Sequence, residues 1–470
     1  TLSRDNGMLR LYAKQNSHSA RYCDGVSRRS FVQLGVAGMA GLGLGDILRA
    51  KAASSNTNSD TKKVSTILIW LDGGPGHMDM YDMKPNAPVE YRGMWRPIHT
   101  NVPGFDITEL YPKQAKHADK FSIVRSLSHG TGDHFAGAHR MLTSKALGVS
   151  GANKIGKFPG LGAIVAQQRE HMQHDVPPYV SVPVASSVAL KPGYFGGKFL
   201  GVQYDPFQTQ GDPNRDNFKV QNMVLPTGLT VDRLDDRTEL RGQLDKISRH
   251  VESRGTFDAL DRFDQQAYSF VTGEKSRVAF DMSLEDDKLR DQYGRHTWGQ
   301  STLLARRLVE AGASFVTVHF GGWDHHWNLE SGYENNLPRV DAAVASLFED
   351  LAQRGMLETT LVMLCGEFSR TPRINNGGNG GPPLSKGTPG RDHWGNSMFC
   401  LMGGGGVRGG QIVGSTNAKG ESPQNRPLTP ANVHATVYKC MGIDPGLQIL
   451  DLAGRPTSVL DDPEPIHELL

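Results

Sequence analysis

Four cysteines in 470 residues are too few for a disulfide scaffold. They are Cys23, Cys365, Cys400 and Cys440, and no two form a Cys-x-x-Cys pair, which excludes that class of redox or zinc motif. Cys365 and Cys400 lie in apolar, strand-like runs and read as core residues. Net charge is nearly absent. Lys and Arg total 51 against 49 Asp and Glu, so there is no electrostatic footprint for nucleic acid or an acidic membrane surface. No apolar run approaches the roughly 20 residues of a membrane span. No segment repeats, and the 55 glycines cluster in loops without a period, which excludes collagen-like and low-complexity architectures. The remaining composition, 37% hydrophobic, supports a large core in one α/β domain or two smaller ones.

What is present begins with a leader. Ser27-Arg28-Arg29-Ser30-Phe31-Val32 precedes a mild, Gly-rich apolar run, Leu34–Leu44, and Ala50-Lys51-Ala52 offers a small-x-small cleavage site. The segment resembles a twin-arginine export signal. Residues 1–63 are therefore read as signal peptide and linker. The expected partner during export is the twin-arginine translocase, and the expected location is periplasmic or extracellular. That route carries folded cargo, which suits a protein that takes up a metal before export.

From Val64 onward, β-branched apolar runs alternate with helical patterns. Strands are predicted at Thr66–Leu71, Phe121–Arg125, Tyr179–Val184, Ser314–Phe320, Thr360–Cys365 and Met398–Met402. Helices are predicted at Pro112–Ala118, Pro159–Gln173, Arg233–Val251, Phe257–Phe270, Gly299–Ala311, Pro338–Arg354 and Pro430–Met441. This alternation predicts an α/β fold with a doubly wound, mostly parallel sheet and helices on both faces. An insertion around 191–300 interrupts the rhythm. Its first part is loop-rich and its second part, Leu229–Gln300, is charged and helical.

The chemistry gathers where strands end. The first strand runs into Asp72, then Gly73-Gly74-Pro75-Gly76, then His77 and Asp79. Ligands bind at the carboxyl ends of strands in open parallel sheets. Asp72 is thus either a metal or anion ligand or the cap of a Gly-Pro turn. After the second strand come Ser128–Arg140, with His129, Asp133, His134, His139 and Arg140 spaced by glycine. They form either a ligand loop or a solvated loop in which Asp133 caps a helix. Gly322-Trp323-Asp324-His325-His326 follows a later strand, and its Asp-x-His spacing lets Asp324 and His326 point the same way. Glu367 leaves the next strand as Asp72 leaves the first, and Arg370 has forked donors suited to an anion or to an ordinary ion pair with Glu367. A last loop carries His393. Eight of the 17 histidines lie in or beside these five segments, which points to a metal centre.

The matching segments are LDGGPGHMDMYDMKP, SLSHGTGDHFAGAHRMLT, GGWDHHWN, GEFSRTP, GRDHWGN and DLAGRPTSVLDDPEPI. Together they resemble the exported bacterial family called domain of unknown function 1501, a sulfatase-like branch of the alkaline phosphatase-like superfamily. The resemblance spans Leu71 to the C-terminus. It implies Asp72 and Glu367 at one metal, and Asp324, His326 and His393 at another. It implies one or two divalent ions (Zn, Mn, Ca or Mg) and an anionic ester or sulfated polysaccharide as substrate. Where the superfamily has a Ser, Thr or Cys nucleophile ahead of a helix, counting back from Met141-Leu142-Thr143 lands on Asp133-His134. The superfamily's Asp-His pair is replaced by Gly366-Glu367-Phe368, and Asn328 stands where a histidine is usual. Two functions are consistent with this pattern. One is an exported metal-dependent hydrolase of sulfate or phosphate esters, with His134, Asp133 and Arg370 catalytic and Arg140 and Arg370 binding the anion. The other is a non-catalytic, metal-stabilised protein that binds anionic polymers outside the cytoplasm.

Overall fold

The computed structural model describes residues 63–147, 156–172, 175–220, 273–377 and 387–470, with a few isolated positions elsewhere. Residues 1–61 form a separate unit, of which the short antiparallel pairing of Arg4–Asp5 with Met8–Leu9 is described. Those four residues apart, the predicted leader lies outside the described residues, as do the predicted helices Arg233–Val251 and, but for its last residue, Phe257–Phe270.

Eight strands form one sheet. In chain order they are β1 (Ser65–Asp72), β2 (Phe121–Leu127), β3 (Tyr179–Val182), β4 (Phe207–Gln208), β5 (Phe315–Gly321), β6 (Thr360–Cys365), β7 (Met398–Gly403) and β8 (Ile412–Val413). Their spatial order is β8-β2-β7-β6-β1-β5-β3-β4. β1 is central and pairs in parallel with β5 and β6. β7 is the reversed strand, antiparallel to β6 and β2.

The two faces of β1 show why it is central. Ile67, Ile69 and Leu71 enter one core, and Leu68 and Trp70 the other, all at 2% exposure or less. A strand covered on both sides has no polar positions, which accounts for the continuous apolar run. Helices α1 (His134–Thr143), α2 (Leu161–Gln168) and α7 (Pro430–Cys440) supply the second core. Helices α5 (Thr297–Glu310) and α6 (Leu329–Gln353) supply the first, with the short α3 (Glu274–Phe280) and α4 (Asp287–Tyr293) beside them. The expected doubly wound, mostly parallel α/β sheet is therefore present. Among the described residues, no helix is long and apolar enough to cross a membrane.

Two expectations need correction. The predicted helix Pro112–Ala118 is two single 3-10 turns, Gln114–Lys116 and Ala118–Lys120. The start of the first turn is held by buried Asp341, which accepts from Lys113 N and Gln114 N at 2.9 and 2.8 Å. The helix predicted to start at Pro338 starts nine residues earlier, with Pro338 in its interior. Leu329, Tyr333 and Leu337 are fully buried ahead of that proline. Burying three such side chains is worth about 5 kcal/mol or more, above the ~3 kcal/mol cost of an interior proline. Finally, the short edge strands β4 and β8 have no periodic signal, because two residues show no alternation.

Helix α7 carries a pH-sensitive joint. His434 is 1% exposed and its Nε2–H donates to the Met141 carbonyl of α1 at 2.7 Å. Burial pushes its pKa down to about 4, against 6.5 in the unfolded chain. The folded protein holds His434 neutral while the unfolded chain protonates, so stability present above pH 6.5 is lost as pH falls towards 4. The loss from this residue alone is roughly 3 kcal/mol. Urea unfolding at pH 7.5 and 4.5 is expected to show a shallower acid loss in His434→Gln, whose amide can still donate to Met141. An unchanged pH dependence in that variant would show that His434 does not carry the effect.

Candidate metal centre

The polar strand ends meet at one edge of the sheet. β1, β5 and β6 run in parallel, so Asp72, the residues after Gly321 and the residues after Cys365 emerge together. His393 comes from the opposite direction. It enters just before β7, and because β7 is reversed, its leading end lies beside Leu127 at the carboxyl end of β2. His134 is the first residue of α1, whose N-cap is Asp133, with Oδ1 accepting from Ala136 N at 2.9 Å.

Four of these residues converge. His393 Nδ1–H donates to the Gly132 carbonyl at 2.8 Å. His326 Nδ1–H donates to Asp392 Oδ1 at 2.8 Å. Each bond commits the proton to Nδ1 and leaves Nε2 with a lone pair, the arrangement of an imidazole oriented as a metal ligand. The two Nε2 atoms then face each other at 3.0 Å. Asp324 Oδ1 lies 3.0 Å from one and 3.2 Å from the other. His134 Nε2 approaches Asp324 Oδ2 at 3.3 Å. Lone pairs so disposed repel unless a proton or a cation lies among them. His134, Asp324 and His393 each offer one donor atom, all within 4.8 Å of one another. Separations of 3.0–3.3 Å match the edges between donors held at about 2.0–2.1 Å from one ion. The donor set therefore fits a divalent cation, and mixed imidazole and carboxylate ligands suit Zn²⁺ or Mn²⁺ without excluding Mg²⁺ or Ca²⁺.

Electrostatics make the set anionic where it needs to be. Burial raises the Asp324 pKa, but the hydrogen bond from His134 and the charge of Arg370 outweigh it and hold the carboxyl far below its ordinary range. Burial lowers the His134 pKa, but bonds to Asp324 and Glu367 outweigh it and push it up to about 9. Glu367 is fully buried. It accepts from His134 Nδ1 at 2.7 Å and from Gly73 N at 2.9 and 3.1 Å. Burial raises its pKa, the His134 bond opposes this, and nearby Asp72 adds to the rise.

The other predicted site residues are placed as follows. Asp72 lies beside the centre, with Oδ2 3.1 Å from His319 Nε2 and Oδ1 accepting from Trp70 Nε1 at 3.2 Å and Val188 N at 3.0 Å. It is not in the converging set. Arg370 is wholly buried, and each of its nitrogens is engaged: Nε with the Gly74 carbonyl, Nη1 with the Arg391 carbonyl, and Nη2 with the Gly73 carbonyl and Asp324. It anchors the Asp324 carboxylate. Arg140 points to the C-terminal segment, towards the Ser144 carbonyl and Asp461, and is not brought to the centre. His134, set down from the sequence as catalytic, is brought in among the donor atoms. His319 was counted but given no role, and its signal is its position two residues before the end of β5.

A model of the family described as protein of unknown function (DUF1501) matches residues 63–470. The chain belongs to that family. No curated protein sequence matches this family member. Solved structures that resemble it include the PsFucS1 sulfatase from Pseudoalteromonas sp., 13% identical, covering 85% of this chain and 72% of that one at a TM-score of 0.38. A variant of the TAB5 alkaline phosphatase is 12% identical, covering 81% and 99% at 0.35. The lipoteichoic acid synthase LtaP from Listeria monocytogenes is 11% identical, covering 86% and 76% at 0.35.

Proposed function

We propose that this member of the family is an exported, metal-dependent hydrolase of sulfate or phosphate esters, related to the alkaline phosphatase-like superfamily. The observation that carries the reading is the convergence of the His326 and His393 lone pairs on Asp324, with His134 closing the set. A divalent cation bound there would polarise the ester oxygens and lower the pKa of a water molecule.

The chain's own residues would do the rest. Asp392 and the Gly132 carbonyl fix the ring orientation of His326 and His393. Arg370 holds Asp324 from the buried side. His134, oriented by Glu367 through Nδ1, would release its Nε2 proton as the cation binds and complete the donor set. The Arg-Arg signal supports export by the twin-arginine translocase to the periplasm or beyond.

The test is a panel of aryl sulfates and aryl phosphates with metal-loaded protein. Turnover is expected, lost on chelation and restored by one of Zn²⁺, Mn²⁺, Mg²⁺ or Ca²⁺. His134→Gln should lower activity by at least about 10–100-fold through weaker metal binding. If no ester is turned over, or if turnover survives chelation, the hydrolase reading fails. The remaining reading is then a metal-stabilised protein that binds anionic polymers.

A further inference from the structure

Beside the metal centre stands an aromatic side chain that the chemistry above does not use. Trp327 follows His326, is half-buried, and its ring centroid lies 6.0 Å from that of His326. Its indole N–H makes no hydrogen bond among the described residues. Its backbone is nevertheless fixed. Asn328 N–H donates to Thr388 Oγ1 at 3.1 Å, and Leu329 N–H donates to the Pro389 carbonyl at 2.9 Å. Gly390 packs so closely that a Cβ there would lie 1.8 Å from the His326 carbonyl oxygen and 2.8 Å from Trp327 N. Asn328 itself is exposed and held at φ +50°, a conformation that asparagine tolerates better than most residues. Its side-chain amide is open to solvent.

An accessible indole on a fixed backbone, with a free N–H and a neighbouring free amide, is arranged for a ring that has both an apolar face and hydroxyl groups. A flat aryl group would use only the indole face. A pyranose would stack its C–H face on Trp327 and offer hydroxyls to the amide of Asn328 and to the indole N–H. The ring pinned beside His326 keeps the stacked sugar within reach of the centre, and the pinned backbone means little ordering cost on binding.

We infer that Trp327 is the specificity-determining platform for a substrate whose ester group is carried on a sugar ring. This deepens the hydrolase reading and rests on it. The test compares hexose 6-sulfate and hexose 6-phosphate with the ring-free ethyl sulfate and ethyl phosphate. Trp327→Ala is expected to raise KM for the sugar esters roughly tenfold or more while leaving kcat/KM for the ethyl esters within about twofold. Trp327→Phe, which keeps an aromatic face, should fall between and guards against a folding defect. Equal losses on both kinds of ester, or none on either, overturn the inference. If no ester is turned over, the hydrolase reading has failed by itself, and calorimetric titration of metal-loaded protein with the same hexose esters decides the platform. Binding by the wild type that weakens about tenfold in Trp327→Ala supports it. No binding by the wild type, or equal binding by both, overturns it.

Discussion

Asp324→Ala protein is expected to retain no divalent metal after dialysis, under conditions in which the wild type keeps one or two ions. Asp324 touches every other member of the set: His134, His326 and His393 through their Nε2 atoms, and Arg370 through its guanidinium. It is also the set's fixed negative charge. Without it, three imidazoles and a buried guanidinium would face a dication with no anion among them. Even the loss of a residue that only orients a ligand typically costs about 10–100-fold in affinity, so removing the shared carboxylate should cost at least about a hundredfold. The measurement is elemental analysis of dialysed protein, followed by competition against a chelator of known affinity. The wild type should also bind more tightly as pH rises from 7 towards 9. His134 carries a proton up to about pH 9, and a metal that uses its nitrogen must displace that proton. Wild-type stoichiometry in Asp324→Ala would sink the metal assignment.

The second large effect is expected on stability. Asp79 and Arg391 form a wholly buried pair, with Nε to Oδ2 at 2.8 Å and Nη2 to Oδ1 at 3.0 Å. Both side chains are 0% exposed. The guanidinium is also spent on the Thr371 and Pro372 carbonyls, so it cannot turn to water when its partner goes. Asp79→Ala leaves a buried charge uncompensated, which costs about 3–5 kcal/mol. Adding Arg391→Met should recover part of that loss, because the penalty belongs to the orphaned charge rather than to the missing bond. Urea unfolding of the two single variants and the double variant reads this directly. Losses that simply add would show that the two residues do not act as a pair. The pair also ties the turn after β1 to the segment that continues into Asp392 and His393. A folded Asp79→Ala protein should therefore hold metal more weakly as well.

Much of this centre was readable from residue order, and the unread part has definite causes. Parallel strands bring their carboxyl ends to one edge, so placing Asp72, Asp324 and Glu367 near one another needed only the strand assignments. The Asp-x-His spacing placed Asp324 and His326 together because alternate residues of an extended segment share a side. Which donors converge was not readable. That depends on Nδ1 of His393 and His326 finding Gly132 and Asp392, contacts that cross more than 60 residues of sequence. Arg370 looked like an anion grip because its forked donors carry no sign of where they will be spent. Three backbone carbonyls and Asp324 claim them, and backbone carbonyls leave no trace in composition. The reversal of β7 was equally hidden, since an apolar run of six residues reads the same in either direction.

That reversal has a consequence for how the protein is made. β7 fills the gap between β2 and β6, two strands laid down well before it during synthesis. Until residue 403 has left the ribosome, that gap cannot close, and His393 has no strand to hold it in place. The donor set must then be one of the last features to form, after every other strand of the sheet except β8 has been synthesised. Pairings this distant in sequence form slowly, because the chain must close long loops before the contacts repay it. Metal uptake would accordingly mark a nearly finished chain, and a nascent chain stalled before β7 should be unable to retain the ion.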